Sequence, residues 1–307
     1  MKDTKLELIN GNSYMYDANL AVGVYFNEDS RAAVLIDSGA NESAAKRIEH
    51  FVKKKGYYIS SVIVTHGHQA QVGGLPHLKK IYADLRVYAT SWTAQFLEHR
   101  ALESGLSGYI PCVANELDEG IVKDAVTDII PYRDHDIVID EVPFSVVALP
   151  GHFPGMVGIV TPDQVFYSAD AIFGNTTLIK QKLLYYTDIK GAKDSLNKLT
   201  AHKYAAYVLS HGGKYNDVTL LIQQHQHLID ETAQFIFGII SEHPMTLEGI
   251  VQRVMKEYQL KNKSSHFTLA NTIVRSYLNE LHEDSKLRAS VNDGILYYYD
   301  RASVILA

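Results

Sequence analysis

Val-Ile-Val-Thr-His-Gly-His-Gln-Ala-Gln-Val-Gly-Gly, residues 62–74, is the most informative segment of this chain. An apolar strand runs into His66-x-His68, and a glycine pair follows where the chain leaves the strand for a loop. Because a strand end holds its side chains rigidly, two imidazoles two residues apart can converge on one metal ion. Beyond His68 a site with two metal ions would want a further carboxylate and imidazole, but the chain offers Ala70 and Gln71, which are poor ligands for a divalent transition metal.

The composition is that of an ordinary globular protein. The 307 residues are 46% hydrophobic and 21% charged, and no apolar run reaches the ~20 residues that cross a bilayer. Met1-Lys2-Asp3 does not open a signal peptide, so we expect a cytoplasmic protein without membrane contact. The single cysteine, Cys112, excludes an internal disulfide and a thiolate metal cluster, and the net charge of −6 disfavours indiscriminate polyanion binding.

The first half of the chain alternates strand and helix patterns. Strands are predicted at residues 14–25, 32–36 and 61–65, with an amphipathic helix at residues 42–54. A further helix is predicted at residues 91–102, and the aperiodic segment Glu103–Asp128 is predicted to be a loop or lid over a substrate pocket. From Ile129 the apolar pattern returns to a period of two. These patterns indicate layers of sheet and helix.

The C-terminal quarter has a different character. The pattern is helical from about residue 217 to 284, and Asn292-Asp293-Gly294 then predicts the turn of a hairpin. Helices followed by a small hairpin resemble a winged-helix module. We therefore divide the chain into residues 1–229 and a winged-helix-like domain at residues 230–307.

Three later segments also place a metal-ligand residue just after an apolar run. They are Pro150-Gly151-His152, Ser168-Ala169-Asp170 and Leu209-Ser210-His211. A lone histidine among the 14 in this chain is more often a surface or core residue than a ligand. Convergence of several such residues from separate strand ends is how α/β folds usually build a site.

Taken together, these motifs resemble those of the metallo-β-lactamase superfamily. The resemblance is carried, in order, by Val34–Gly39, Thr65–His68, Pro150–Gly155, Phe166–Asp170 and Ser210–Gly212, and it covers roughly residues 15–215. With the terminal module, the chain is similar to the subgroup of β-lactamase-like protein 2, which includes glyoxalase-II-like hydrolases, thioesterases and a ribonuclease. The resemblance implies an α+β fold, a four-layer αβ/βα sandwich with metals at one edge.

The resemblance also implies a ligand set. The first metal site would use His66, His68 and His152, with Asp170 bridging toward a second site that would also use His211. With Ala70 and Gln71 in place of its other two ligands, that second site is expected to be degenerate. One zinc ion, or iron or manganese, could still activate water, with Asp170 and His211 as the catalytic residues that orient it.

The leading hypothesis is a metal-dependent hydrolase of a small-molecule ester, thioester or lactone. The alternative is a catalytically impaired relative that acts as a binding protein. A nuclease is disfavoured because residues 230–307 hold eight Lys/Arg against ten Asp/Glu. A homodimer is left open.

Other histidines are interpreted as structural. His135 is expected in a tight turn between Asp134 and Asp136. His225 and His227 are two residues apart on a helix and so point in directions ~200° apart, which does not suit a shared ligand, and both are interpreted as helix-surface residues. His77, near a helix start, is not expected to bind metal.

Overall fold

The computed structural model describes residues 6–17, 20–99, 101–106, 124–181 and 183–302. Cys112 and most of the predicted loop Glu103–Asp128 lie outside these residues. Helix continues from Ala101 to Leu106, so the first part of that loop prediction is wrong. None of the described helices is long and apolar enough to cross a bilayer.

Two sheets form the centre of the described structure. The first contains β1 (Leu6–Asn10), β2 (Ser13–Asp17), β3 (Ala21–Asn27), β4 (Ala32–Ile36), β5 (Tyr58–Ile63), β6 (Arg86–Thr90) and β7 (Asp128–Ile130), in that order. The second contains β8 (His135–Ile139), β9 (Val142–Ala148), β10 (Val157–Val160), β11 (Val165–Tyr167), β12 (Ala206–Leu209) and β13 (Gly213–Tyr215), ordered from β13 to β8. Strands β4 to β7 pair in parallel, as do β11 and β12, and the other neighbours are antiparallel.

Ten described helices accompany the sheets. They are α1 (Glu42–Lys54), α2 (Gln69–Val72), α3 (Leu75–Ile81), α4 (Ser91–Glu98), α5 (Ala101–Leu106), α6 (Asn175–Lys180), α7 (Ile189–Ala201), α8 (Thr219–Glu242), α9 (Leu247–Glu257) and α10 (Ser264–Glu283). The hairpin of β14 (Leu287–Asn292) and β15 (Ile295–Asp300) follows. Asp293 and Gly294 both have positive φ, as the two-residue turn of such a hairpin requires.

Alternation along the strands builds the layers. In β5, Val62 packs toward Ile48 of α1, whereas the next residue, Ile63, packs between the sheets with Val208 of β12. Successive strand side chains point to opposite faces, so each central strand is buried on both sides. The other face of the second sheet packs against α7 and α8, for example Phe166 against the cluster that includes Leu196. The order is therefore helices, sheet, sheet, helices.

Several local predictions change in detail. Residues 14–25 form two antiparallel strands, β2 and β3, rather than one. The helix predicted at residues 91–102 ends at Glu98, because His99 leaves helical geometry. His135 begins strand β8 rather than lying in a tight turn. The boundary predicted between residues 229 and 230 falls inside α8, which is one continuous helix.

Candidate metal centre

Four loops carry the candidate ligands to one edge of the two sheets. His66 and His68 follow β5, His152 follows β9, Asp170 follows β11, and His211 follows β12. The side chains of His66, His152 and Asp170 are buried, that of His68 is 20% exposed, and that of His211 is 39% exposed. The structure thus brings these side chains together from separate strand ends, as the sequence predicts.

Three imidazole nitrogens surround one point. His68 Nδ1 lies 3.1 Å from His66 Nε2 and 3.1 Å from His152 Nε2. Nitrogen ligands held ~2.0–2.1 Å from a tetrahedral metal ion are about 3.3 Å apart, so this spacing fits a single cation. His66, His68, His152 and Asp170 each offer a ligand atom within 4.8 Å of the others. This cluster could bind a metal ion.

Asp170 supplies the negative charge of the cluster. Its Oδ2 lies 3.5 Å from His66 Nε2, 3.5 Å from His152 Nε2 and 3.7 Å from His211 Nε2. Burial by itself would raise the pKa of Asp170, but the close approach of the His66, His152 and His211 rings lowers it below its usual range. Its Oδ1 is buried and has no hydrogen-bond partner among the residues that the structure describes. An orphaned carboxylate oxygen beside three imidazoles is a donor set that fits a cation.

Hydrogen bonds behind the cluster orient two of the imidazoles. His152 Nδ1 lies 3.0 Å from the carbonyl oxygen of Tyr185, to which it can only donate, so Nε2 keeps its lone pair. Burial lowers the pKa of His152 to about 4, which keeps the ring neutral as a metal ligand must be. His66 Nδ1 similarly lies 3.1 Å from Thr65 Oγ1.

The hydroxyl of Thr65 connects His66 to a buried carboxylate. Thr65 Oγ1 lies 2.9 Å from Asp37 Oδ2, and the Thr65 N–H donates to Asp37 Oδ1 at 2.8 Å. Burial raises the pKa of Asp37 to about 7, against the opposing effect of the His66 charge. Asp37 has φ +66°, so the strand end is held in a left-handed conformation by these bonds. The pattern of Val34–Gly39 signalled this segment, but not the role of Asp37 behind His66.

The predicted fifth ligand, His211, lies at the rim of the cluster. Its Nε2 approaches Asp170, but it does not join the compact group formed by His66, His68, His152 and Asp170. Its ring lies 6.0 Å from that of Phe173. Its assignment as a metal ligand stays a prediction.

Gln71 occupies the interior side of the site. It lies in α2, its side chain is buried, and its Nε2 donates to Asp170 Oδ2 at 3.4 Å. Its Oε1 is buried without a hydrogen-bond partner among the described residues. The amide therefore contacts the carboxylate that would bridge two metal ions, and Ala70 beside it contributes no ligand atom.

His225 is the clearest misjudgement of the sequence interpretation. It is fully buried in α8 rather than on a helix surface. Its Nε2 accepts the Phe173 N–H at 2.9 Å, and its Nδ1 lies 2.6 Å from the carbonyl oxygen of Leu221. His225 thus ties α8 to the loop that begins at Asp170. The helix periodicity of α8 could have revealed it, because Leu221 and Ile222 lie on the same face.

The remaining histidine interpretations can also be compared with the structure. His227 is exposed on α8 and lies 3.3 Å from Glu231, as a surface residue should. His77 lies in α3 and its Nε2 is 3.0 Å from Glu49 Oε2, which accounts for it without a metal. Sequence analysis did not single out Glu103, whose Oε1 lies 3.7 Å from His68 Nε2, because no pattern distinguished it from other surface carboxylates.

The sequence is similar to that of known proteins. The family model of the metallo-beta-lactamase superfamily matches residues 20–211. An uncharacterized protein of Aquifex aeolicus (strain VF5) is 31% identical over 138 residues, which cover 43% of this chain and 56% of that protein. A hydroxyacylglutathione hydrolase of Haemophilus ducreyi is 33% identical over 55 residues, covering 18% of this chain and 23% of the other. The chain thus spans about half of the first relative's length and less of the second's.

A solved structure extends the likeness over nearly the whole chain. A metallo-beta-lactamase family protein from Thermus thermophilus superposes with a TM-score of 0.68 at 14% identity, covering 96% of this chain and 97% of that one. At this identity the likeness concerns the fold alone. Because the family model covers more than half of the sequence, and the histidines and aspartate of its motifs converge on one point, the chain belongs to the metallo-beta-lactamase superfamily.

Proposed function

We propose that this protein is a metal-dependent hydrolase with a mononuclear site that acts on an ester, thioester, lactone or similar small molecule. The observation that carries the proposal is the spacing of the three imidazole nitrogens around one point, with the Asp170 carboxylate closing the group. When bound there, a divalent metal ion such as zinc, iron or manganese supplies a Lewis acid that polarises a carbonyl group and makes coordinated water acidic.

The protein's own residues have separable roles in this proposal. His66, His68 and His152 hold the cation, and the hydrogen bonds of Thr65 and Tyr185 keep the correct ring nitrogens facing it. Asp170 Oδ1, which has no hydrogen-bond partner within the described residues, could accept a hydrogen bond from the attacking water.

At the rim of the site, His211 Nε2 lies 3.7 Å from Asp170 Oδ2, in the range of an ion pair, and we assign to His211 the role of taking up the proton that the water would lose. General acid–base help of this kind is worth roughly 10²–10⁴-fold in rate.

A single metal ion is supported by the residues at the second position. Ala70 offers no ligand atom there, and Gln71 offers a neutral amide, whose Nε2 donates to Asp170 Oδ2 at 3.4 Å, in place of an imidazole. The same observation favours the alternative function, a catalytically impaired relative that binds a ligand without hydrolysing it.

The finer classification follows as part of the same proposal. We assign the chain to the glyoxalase-II-like subgroup and interpret residues 230–307 as a winged-helix-like module, supported by α9 and α10 followed directly by the β14–β15 hairpin. A nucleic-acid partner remains disfavoured by the acidic balance of that module. Cytoplasmic location and a homodimer stay predictions.

The first test is metal content. We expect elemental analysis of protein purified without chelator to give about one transition-metal ion per chain, consistent with one tetrahedral ligand set. His152→Ala should lose most of this metal, whereas His227→Ala, on an exposed helix face, should retain it. Ala70→Asp with Gln71→His should raise the metal content toward two.

Activity is the second test. Esters, thioesters and lactones are screened with the metal-loaded protein, and hydrolysis should disappear on chelation and return with metal. A wild-type chain that takes up no zinc, iron or manganese would refute the hydrolase proposal. One that binds metal but hydrolyses none of these substrates would favour the binding-protein alternative.

A further inference from the structure

The two ring nitrogens of His68 face different groups. Nδ1 points to the centre of the cluster, 3.1 Å from the Nε2 atoms of both His66 and His152. Nε2 points away from the cluster, toward Glu103 Oε1 at 3.7 Å. For His66 and His152 the arrangement is reversed, because Nε2 faces the cluster and Nδ1 faces a hydroxyl or a carbonyl oxygen.

Glu103 lies in α5 and follows His68 by about thirty-five residues in the chain. Its side chain is 25% exposed, and that of His68 is 20% exposed, so the pair is shielded from most of the solvent. The His68 ring is fixed by Phe153, whose centroid is 4.5 Å away, and by Tyr185 at 6.0 Å. Burial raises the pKa of Tyr185 to about 12, and the negative charge of Glu103 contributes to that rise.

We propose that Glu103 is a positioning residue of the metal centre, whose carboxylate accepts the Nε2–H of His68 and so keeps the lone pair of Nδ1 directed at the cation. This inference rests on the proposed function. The distance of 3.7 Å between His68 Nε2 and Glu103 Oε1 lies in the range of an ion pair and is longer than a hydrogen bond. Hydrogen bonds of catalytic sites are often long in structures without ligands and tighten in the complex.

The charges of the site explain why a carboxylate is useful at this position. Three neutral imidazoles and Asp170 leave a divalent cation with one uncompensated positive charge. Ala70, close to His68 in the chain, adds no charge. Glu103 adds one negative charge next to the cluster, and this charge acts on the cation through the His68 ring. A carboxylate behind a ligating histidine makes it a stronger donor, and loss of such a partner typically weakens metal binding about 10–100-fold.

The test measures zinc affinity by competition with a chromophoric chelator. Glu103→Ala should weaken zinc binding about 10-fold or more. Glu103→Gln, whose neutral carbonyl still accepts a hydrogen bond, should show a smaller loss. The matched control is Glu98→Gln in the neighbouring helix α4, which removes the same charge and has no ion pair with His68 in the described structure. It should leave the affinity unchanged.

A second readout separates positioning from general stability. Cobalt(II) in the same site has a visible spectrum that depends on its ligand field, and we expect this spectrum to change in both Glu103 variants but not in Glu98→Gln. The melting temperature of the metal-free proteins should be equal. Support requires both the affinity loss and the spectral change. If either is absent, or if the Glu103 variants melt early without metal, the inference is refuted.

The outcomes also distinguish this inference from the proposed function. If wild-type protein binds zinc tightly and the Glu103 variants bind it equally well, only the role of Glu103 is wrong. If wild-type protein binds none of zinc, cobalt, iron and manganese, both are wrong.

Discussion

Replacing His225 with glutamine should remove a pH-dependent part of the protein's stability. In the folded chain, His225 is buried in α8, its Nε2 accepts the Phe173 N–H, and burial lowers its pKa from 6.5 to about 4. Protonation of Nε2 would break that hydrogen bond and place a charge in the core. The amide oxygen of the introduced glutamine can occupy the same place as Nε2 but does not titrate.

The sign and size follow from proton linkage. Because the folded-state pKa lies below the unfolded value, stability from neutral His225 is present above about pH 6.5 and is lost as the pH falls toward about 4. Between pH 7 and about pH 5, a shift of this size removes about 2 kcal/mol of unfolding free energy. We expect this loss in the wild type, and not in His225→Gln, when metal-free protein is unfolded with urea across that range.

The comparison must be made between variants because other buried groups also titrate. Asp37 acts in the opposite direction: its pKa is raised from 3.8 to about 7, so its contribution is present below 3.8 and is lost as the pH rises toward 7. The difference between wild type and His225→Gln cancels such terms. His227→Gln, which alters an exposed histidine on the same helix, is the control and should follow the wild type. Equal pH slopes for wild type and His225→Gln would refute the reasoning.

Two contrasts, each between a contact-making residue and a matched control, test the packing around the site. Lys193 of α7 lies 2.7 Å from the buried carboxylate of Glu280 in α10. Lys193→Met leaves that carboxylate without its partner and should cost about 2 kcal/mol of unfolding free energy, measured by urea titration. The control is Lys190→Met, which removes an exposed ion pair and should cost nothing measurable. Equal losses would show that burial of the pair is unimportant. Gly151 has φ +125°, and a β-carbon there would lie 2.5 Å from main-chain atoms of α7, so Gly151→Ala should lose about 2 kcal/mol or more and bind zinc more weakly through the neighbouring histidine. By contrast, Gly238 lies in the middle of α8, where a β-carbon would meet no atom within 4 Å. Gly238→Ala should therefore raise the unfolding free energy by about 1 kcal/mol, and a decrease would contradict the geometry of that helix face.

The part of the fold that the sequence predicts best is the part with strict periodicity. The strand predicted at residues 61–65 overlaps β5, which ends at Ile63, and all five residues are buried. The amphipathic pattern of residues 42–54 is α1 with the same bounds. In α1, Asn41 caps the first turn by accepting the Ala44 N–H, and Lys53 and Lys54 lie at the C-terminal end, where the helix dipole favours positive charge. Local propensity and tertiary packing agree there.

Prediction fails where the structure is determined by contacts distant in sequence. His225 and His227 have similar sequence surroundings, yet one is in the core and the other in water. The apolar face of α8 accounts for the burial of His225, but the group that His225 binds there, the Phe173 N–H about fifty residues earlier in the chain, is not indicated by the local sequence. In the same way, nothing local to Glu103 indicates that α5 brings it to His68.

The candidate site itself was predicted to the level of residue identity but not of arrangement. The four members of the compact cluster were all named from their strand-end positions. The sequence could not show that His211 lies at the rim with its side chain 39% exposed, since exposure depends on how the surrounding loops fold. It also could not show that the Gln71 side chain turns inward to meet Asp170.

The continuity of α8 has a practical consequence for dissecting the protein. A fragment that ended at residue 229 would contain His225 and its bond to Phe173, but would lose the second half of the helix, where Ile236 and Ile240 are buried. Removing this half of α8 would expose the apolar residues of the cluster that it shares with α7 to water and to other copies of the fragment. Shortened versions that end within the helix and are intended to isolate the metal centre would therefore be expected to aggregate.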